Sequence, residues 1–536
     1  MHLITLKIKS INIYLIIIFL IGSLIRFLLS FEIPGVIHPD EHYQGLEIAH
    51  YLVYGYGELT WEWRLSEIAP IRSIMFPLQL AFIMKIGSII GLDYELILFL
   101  TRLWTAILSS LLIILVYYFV FLLIPESMNL KSRKNIALIA SFLIAINSVL
   151  LKYSWHTFTN VYVLPFIIAS LILLIKKYES YKRMVSGCII GGLFMSYSLI
   201  LRPEIIIFYI IFFIFNVKYL LAKKTIYWII GIFFGQIISG IFDFLFYGTS
   251  PFQTTINFLI FQTEGSEFWG IQPFGYYSYL FLSKNVVNIF LLIFSFLYII
   301  ISLGVILYKS RDFSLFFKNT KRDVLLIRLI KFSGITFLYL LFWEVISHKE
   351  ERFLLPWLVF FLIFQSLTIF LMIRTGLFVS TKINNRFKVF DKNNFLIIMN
   401  QLKYSFIALV LFILVVQNSF LFLNSDSTPY QEIELSVLYV GKQQDVTGLV
   451  VVFSRPHYIG TMAYLHQPNI PVLRITNSFL YENYSFIFPV RYNYLIIPHE
   501  YYSEFEFITS DLFKGKYIID KTVNGDYPVD VWKLSN

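Results

Sequence analysis

Residues 10–30 read SINIYLIIIFLIGSLIRFLLS, an apolar run whose one charge is Arg26 near its far end. At 1.5 Å per residue, a helix of this length crosses the roughly 30 Å hydrocarbon core of a bilayer. Lys7 and Lys9 precede the run and no small-residue cleavage site follows, so it reads as a retained first helix with its N-terminus in the cytoplasm. The same reading repeats along the chain. Apolar stretches at 74–91, 95–123, 135–151, 160–175, 184–201, 205–222, 225–247, 285–308, 333–347, 354–373 and 404–423 make twelve with the first. Of the 536 residues, 58% are hydrophobic and 14% charged, against about 25% charged in a soluble domain. This composition calls for lipid as solvent and excludes a soluble enzyme, a disordered tail and a nucleic-acid-binding domain. Cys188 is the sole cysteine, which excludes an internal disulfide framework and a cysteine-ligated metal.

Charge sets the orientation. The net charge of +10 fits a surplus of Lys and Arg in cytoplasmic loops. Basic clusters stand at Lys131/Arg133/Lys134, Lys176/Lys177/Lys182/Arg183, Lys223/Lys224, 309–331 and 374–403. Placing all of them inside puts 152–159, 202–204, 248–283, 348–352 and the tail after 424 outside. The polar segment 31–73, with seven acids and two bases, belongs outside as a first outer loop. Going from an outer loop at 73 to an inner one at 131 needs an odd number of crossings, yet two stretches lie between, so one of them should not cross fully. The expectation is an all-α polytopic membrane protein of about eleven transmembrane helices over residues 1–423. A small α/β domain follows at 424–536 on the outer or lumenal side, built on β-type runs at 448–454, 471–476 and 492–498. Asn483-Tyr484-Ser485 is an N-glycosylation sequon in that tail and supports its sidedness weakly.

Three constellations carry ionisable groups to the outer face. The first is His38-Pro39-Asp40-Glu41-His42-Tyr43-Gln44, about eight residues beyond the first span. A carboxylate beside the membrane invites a functional reading and has the chemistry of a general base toward a sugar hydroxyl. Equally, Asp40 suits an inert helix N-cap after Pro39. The second is the stretch 54–73, with Trp61, Trp63, Arg64 and Arg72. Its indoles read either as interface anchors or as a sugar-stacking platform beside an arginine on a lipid phosphate. The third is SHKEERFLLP at 347–356, where His348, Lys349, Glu351 and Arg352 crowd between two apolar spans. It is either a charged connecting loop or a cation site for a departing phosphate. Arg202 and Asp243 are weaker candidates at outer helix ends, where the arginine could simply snorkel. The chain has no Gly-rich phosphate loop, HExxH, nucleophile elbow or EF-hand.

HPDEHYQGLEIAHYLVYGYGELTWEWR followed by IRS (38–73) resembles the first outer loop of glycosyltransferase family 22, and within it the GPI mannosyltransferase 3 branch. SHKEERFLLP matches that family's second signature, and LRPE (201–204) and FDFLFYGTSPFQTTINFLIFQ (242–262) resemble two further segments in the right order. The chain departs where Val161-Tyr162-Val163 follow Thr159-Asn160, since the family carries an acid there. The resemblance implies a GT-C fold and an inverting transfer of mannose from a polyprenyl (dolichyl) phosphate to a lipid-linked glycan such as a GPI precursor, with no cofactor and no metal. It implies Asp40 as general base with Glu41 as its acidic neighbour, either being able to take the proton. It further implies His348, Lys349 and Arg352 on the donor phosphate, with Arg72, Trp61 and Trp63 beside the donor and His38, Glu351, Arg202 and Asp243 as further candidates. Partners would be the lipid-linked donor, the glycan acceptor and membrane lipid. The location would be the endoplasmic reticulum in a eukaryote or the cell membrane in a prokaryote. A GT-C transferase for another sugar, and more remotely a lipid transporter, stay open.

Overall fold

The computed structural model describes residues 12–31, 36–66, 70–264, 270–282, 286–309, 323–387, 409, 412–423, 430–453, 462–475, 492–502, 517–526 and 528–534. The sequon at 483–485 lies outside them, as do parts of the last two basic clusters.

The main helices are α1 (Ile13–Leu29), α2 (Glu47–Tyr54), α3 (Met75–Ile89), α4 (Tyr94–Leu123), α5 (Leu130–Ile146), α6 (Leu164–Ile175), α7 (Tyr181–Leu201), α8 (Ile205–Phe215), α9 (Thr225–Tyr247), α10 (Gln253–Glu264), α11 (Val286–Lys309), α12 (Val324–Val345), α13 (Leu355–Phe387) and α14 (Gln431–Gly441). Among the described residues, six helices are long and apolar enough to cross a membrane: α4, α7, α9, α11, α12 and the first part of α13. α4 and the first part of α13 are buried at the centre, whereas α11 turns Phe290, Ile293, Leu297 and Ile300 outward. In lipid such a face has no reason to be covered.

Three departures from the apolar pattern shape the site. The stretch expected at 135–151 breaks at Asn147. Its backbone is extended and its side chain accepts from Leu150 N, starting a new turn, Ser148–Tyr153. The break delivers residues 152–157 to the same end as the first loop. α12 begins at Val324 rather than 333, because Asp323 caps it and Lys331 finds a carbonyl partner at Phe215. α3 has 15 residues, about 22 Å at 1.5 Å per residue. At its start, Ile74 N donates to Asp243. Near its end, Ser88 reaches Tyr54 of α2 in the first loop. Both ends of α3 thus lie against the loop layer.

Among the described residues from 430 to 534 lies a five-stranded mixed sheet in the order β2-β1-β3-β5-β4. Its strands are β1 (Leu449–Val452), β2 (Val472–Ile475), β3 (Tyr494–Pro498), β4 (Tyr517–Val523) and β5 (Val529–Leu534). β1 is parallel to both its neighbours and fully buried, as its unbroken apolar run LVVV requires. β1, β2 and β3 fall within the three runs read from sequence. α14 packs against β3 and β5.

The bundle has two chemically distinct ends. At one, Lys224 donates to the Lys176 carbonyl at 2.9 Å, Lys177 pairs with Glu126 at 2.9 Å, and Arg133 donates to the Phe121 carbonyl. At the other, segments 36–66, 70–73, 147–160, 201–204, 243–258, 270–278 and 344–352 converge.

Candidate active site

The first outer loop enters the site through a tight helical start. His38 is extended, and its Nδ1 accepts from Asp40 N at 3.2 Å, so His38 is the N-cap and Pro39 takes the first helical position. Asp40 is therefore not the cap, and its carboxylate is free for other partners. The turn Pro39–Glu41 runs into a π-type turn, His42–Leu46, and then into α2. π turns are rare and concentrate at functional sites. Successive side chains on a helix diverge by about 100°, which sends the two adjacent acids to different surroundings.

Glu41 turns inward and is fully buried. It accepts from Thr157 N at 2.9 Å, meets His156 Nδ1 at 2.7 Å, and accepts from Ile37 N at 3.3 Å. Burial alone would raise its pKa. The His156 ring, the Arg102 charge and the Thr157 amide more than offset this and hold it at about 2. Asp40 turns outward, 26% exposed, and its Oδ2 accepts from Arg352 Nη1 at 2.8 Å. Its Oδ1 lies 3.6 Å from His38 Nδ1. Burial again opposes ionisation, but Arg352, His38 and Arg72 together keep its pKa below the ordinary carboxylate value.

Arg352 arrives from 312 residues away on the turn Glu351–Leu354 that opens α13. Its Nε is tied to Glu350, its plane lies 4.9 Å over Phe158, and the Asn160 amide donates to its carbonyl at 3.3 Å. Its Nη2 has no protein partner among the described residues. Glu350 also binds His348 Nε2 at 3.1 Å and lies 3.9 Å from His38. Through that hydrogen bond Glu350 raises the pKa of His348, while burial and Arg352 lower that of His38. Lys349 is 5% exposed and donates to the Gln272 carbonyl at 2.9 Å, leaving two ammonium hydrogens for another acceptor. Glu351 accepts from Tyr153 OH at 3.2 Å. These groups line a cavity of about 470 Å³ together with Lys152, Gln272 and Tyr276. Glu344 anchors the segment that carries Tyr276, accepting from Gly275 N and Ser278 N at 2.8 Å each.

Arg72 stands on the other side of the loop. It donates to Glu62 Oε1 at 2.9 and 3.1 Å and lies 5.5 Å over Phe258, lining a second, much smaller pocket. Burial raises Glu62 above the ordinary value even with Arg72 against it. Asp243 holds this corner. Its carboxylate accepts from Ser73 Oγ and Ile74 N at 2.9 Å and from Thr254 Oγ1 at 2.8 Å. Arg202 pairs with Glu204 at 2.5 Å and lies 5.4 Å over Phe353. Trp63 is packed into a core with Ile48, Ile74 and Tyr247, its indole donating to the Tyr43 carbonyl. Trp61 is 37% exposed beside Phe261.

The structure thus brings His38, His348, Lys349, Glu351 and Arg352 to one cavity, with Asp40 joined to it through Arg352 and Arg72 near enough to act on Asp40 by charge. Sequence reasoning passed over Glu350, the acid shared by three of these cations, although it stood in the quoted motif. It also passed over Lys152 and His156, which lie in no motif. A Lys and a His beside the Asn147 break were the available signal.

The profile of the Alg9-like mannosyltransferase family matches residues 16–466. GPI mannosyltransferase 3 of Yarrowia lipolytica is 30% identical over 247 residues, 45% of each chain. The human GPI alpha-1,2-mannosyltransferase 3 is 39% identical over 100 residues, 18% of this chain and 17% of its own length. The aligned stretches therefore span less than half of these curated relatives. In fold, the chain is similar to ArnT from Cupriavidus metallidurans in the apo state, with TM-score 0.55 at 10% identity, covering 96% of this chain and 97% of the other. The same protein bound to undecaprenyl phosphate gives TM-score 0.53, also at 10% identity, over 97% and 98%. With the profile running through both the acid loop and the cation turn, the chain belongs to the Alg9-like mannosyltransferase family.

Proposed function

We propose that this protein transfers mannose, with inversion, from a polyprenyl (dolichyl) phosphate to a hydroxyl of a lipid-linked glycan such as a GPI precursor. The observation that carries the proposal is the contact of Asp40 with Arg352, the arginine that lines the cationic cavity. A single-displacement transfer needs one base for the acceptor and one stabilised leaving group, and the two meet there.

In the step itself, Asp40 takes the acceptor hydroxyl proton as that oxygen bonds to C1 of the sugar. The C1–O bond to phosphate breaks, and its electron pair leaves with the polyprenyl phosphate. Arg352 offers its free Nη2 to that phosphate, with Lys349, Lys152 and the raised-pKa His348 close by. A guanidinium and ammonium groups stabilise the growing charge better as water is excluded. Glu41, buried and saturated with hydrogen bonds, positions the turn rather than taking the proton. Support for a polyprenyl phosphate comes from the fold neighbour bound to undecaprenyl phosphate. Support for a GPI-type acceptor comes from the names of the matching relatives. The cleft faces outward or lumenally, and α3, with both ends at the loop layer, supports an odd number of crossings between residues 73 and 131 and about eleven in all.

The test uses purified protein in detergent with polyprenyl phosphates carrying labelled mannose, glucose or arabinose and a lipid-linked glycan acceptor. Mannose transfer, with the product anomer opposite to the donor, is the expected result. Transfer of another sugar alone would assign the chain a different donor, and movement of the intact sugar lipid across proteoliposomes without glycan product would make it a transporter.

A further inference from the structure

Five residues of the tail, Met462 to His466, reach back into the first loop. Ala463 N donates to Glu47 Oε2 at 2.9 Å. Glu47 also accepts from Glu58 N at 2.7 Å and lies 3.2 Å from His42 Nε2. His466 Nδ1 meets His50 Nε2 at 3.0 Å, and the His466 ring stacks on Tyr94 at 3.6 Å. The Tyr464 ring stacks on His42 at 5.5 Å, and its hydroxyl accepts from Arg102 Nη2 at 3.0 Å.

From Arg102 a buried pillar runs to the catalytic turn. Its guanidinium lies 5.1 Å over Trp155, the Trp155 and His156 rings are 3.8 Å apart, and His156 meets Glu41 at 2.7 Å. Tyr464, Arg102, Trp155, His156 and Glu41 are each 2% exposed or less. Asp40 is the next residue along. This pillar has no member among the residues that line the cavity. It does fix the carboxylate-bearing turn at its root, and a misplacement of about 1 Å in a reacting group can cost on the order of a hundredfold in rate. The family match runs through this segment and stops at its last residue.

We propose that residues 462–466 are a positioning element for the transfer, with Tyr464 and Arg102 setting the placement of Asp40 through Trp155, His156 and Glu41. The inference rests on the reading of Asp40 as base. Tyr464→Phe removes one oxygen and keeps the ring against His42, so it tests the pillar with little disturbance. The whole protein is compared with Tyr464→Phe, Arg102→Gln, Arg102→Lys and the double variant Arg102→Gln/Tyr464→Phe, measuring kcat, donor KM and thermal midpoint. Expected are a fall in kcat of about tenfold in Tyr464→Phe with donor KM within about twofold, a deeper fall in Arg102→Gln, and partial rescue by Arg102→Lys. The double variant should be no slower than Arg102→Gln, since members of one chain do not lose rate independently. Wild-type kcat in Tyr464→Phe, or losses that multiply in the double variant, would overturn the proposal. Asp40→Asn is run alongside. If that variant keeps its activity, the base reading fails; if it is dead while Tyr464→Phe turns over normally, the positioning inference alone fails.

Discussion

At the scale of single residues, the site turns on the different fates of two neighbouring acids. Sequence alone could not separate Asp40 from Glu41, because their roles depend on which way each side chain leaves a three-residue turn. His38 decides this by taking the cap position, which frees Asp40 for Arg352 and sends Glu41 toward His156 and Thr157. The cation turn was legible because its residues are contiguous, whereas His156 answers to Glu41 from 115 positions away with no motif to announce it. Two predictions belong here. Glu41 has a folded pKa of about 2, below its ordinary 4.5, so its ionised form stabilises the fold. That contribution is full above about pH 4.5 and is lost as pH falls toward 2; integrated, it is on the order of 3 kcal/mol. Glu41→Gln should therefore lower the thermal midpoint at pH 7 and flatten its decline below pH 4.5. An unchanged acid profile would remove Glu41 from this role. Asp40 is held below the ordinary carboxylate range chiefly by Arg352 acting against burial. Arg352→Lys keeps the charge but loses the fork geometry. It should raise donor KM at least about tenfold while leaving the acid limb of the pH–rate profile in place. Arg352→Gln should move that limb to higher pH, because burial then acts on Asp40 with less opposition.

At the scale of elements, the spans announced themselves through length and hydropathy, and the structure differs where polar residues found local partners. Asn147 ended one helix and began another, and α12 gained two turns by giving Asp323 and Lys331 partners. α3 is apolar enough to read as a span yet packs along α2, a distinction that lies in its neighbours and not in its own residues. The tightest crossing is between α7 and α9. A methyl on Gly192 would sit 2.0 Å from the Trp228 carbonyl oxygen, and one on Gly231 would sit 2.2 Å from that of Ile189. Backbone cannot yield as a side chain can, so Gly192→Ala should push the helices apart at a cost of about 1–3 kcal/mol. Since α9 carries Asp243, the shift should loosen the Ser73–Ile74 corner and Arg72 with it. A lowered thermal midpoint accompanied by weaker activity is expected. A midpoint equal to that of the unsubstituted protein would show that the helices accommodate the methyl.

At the scale of the whole molecule, charge asymmetry in the sequence marked the two ends, and the structure gathers the acid loop, the cation turn and the tail at one of them. Removing Cys188 and placing single cysteines at Glu500 in the tail and at Lys177, 84% exposed at the basic end, tests the sidedness. A membrane-impermeant thiol reagent applied from the outer or lumenal face should label Glu500→Cys and spare Lys177→Cys. Labelling of both from one face would break the topology. The tail's link to α4 was not legible, because Tyr464 and Arg102 are 362 positions apart and neither lies in a motif. The transfer proposed above needs a base, Asp40, beside a phosphate-binding cation, Arg352, and it is tested most directly by the turnover of Asp40→Asn. With labelled polyprenyl-phosphate mannose and acceptor at saturation, Asp40→Asn should lose at least about a hundredfold in kcat, the lower range for a general base, while binding donor and unfolding at a similar temperature. Turnover within a few-fold of the unsubstituted protein would contradict it.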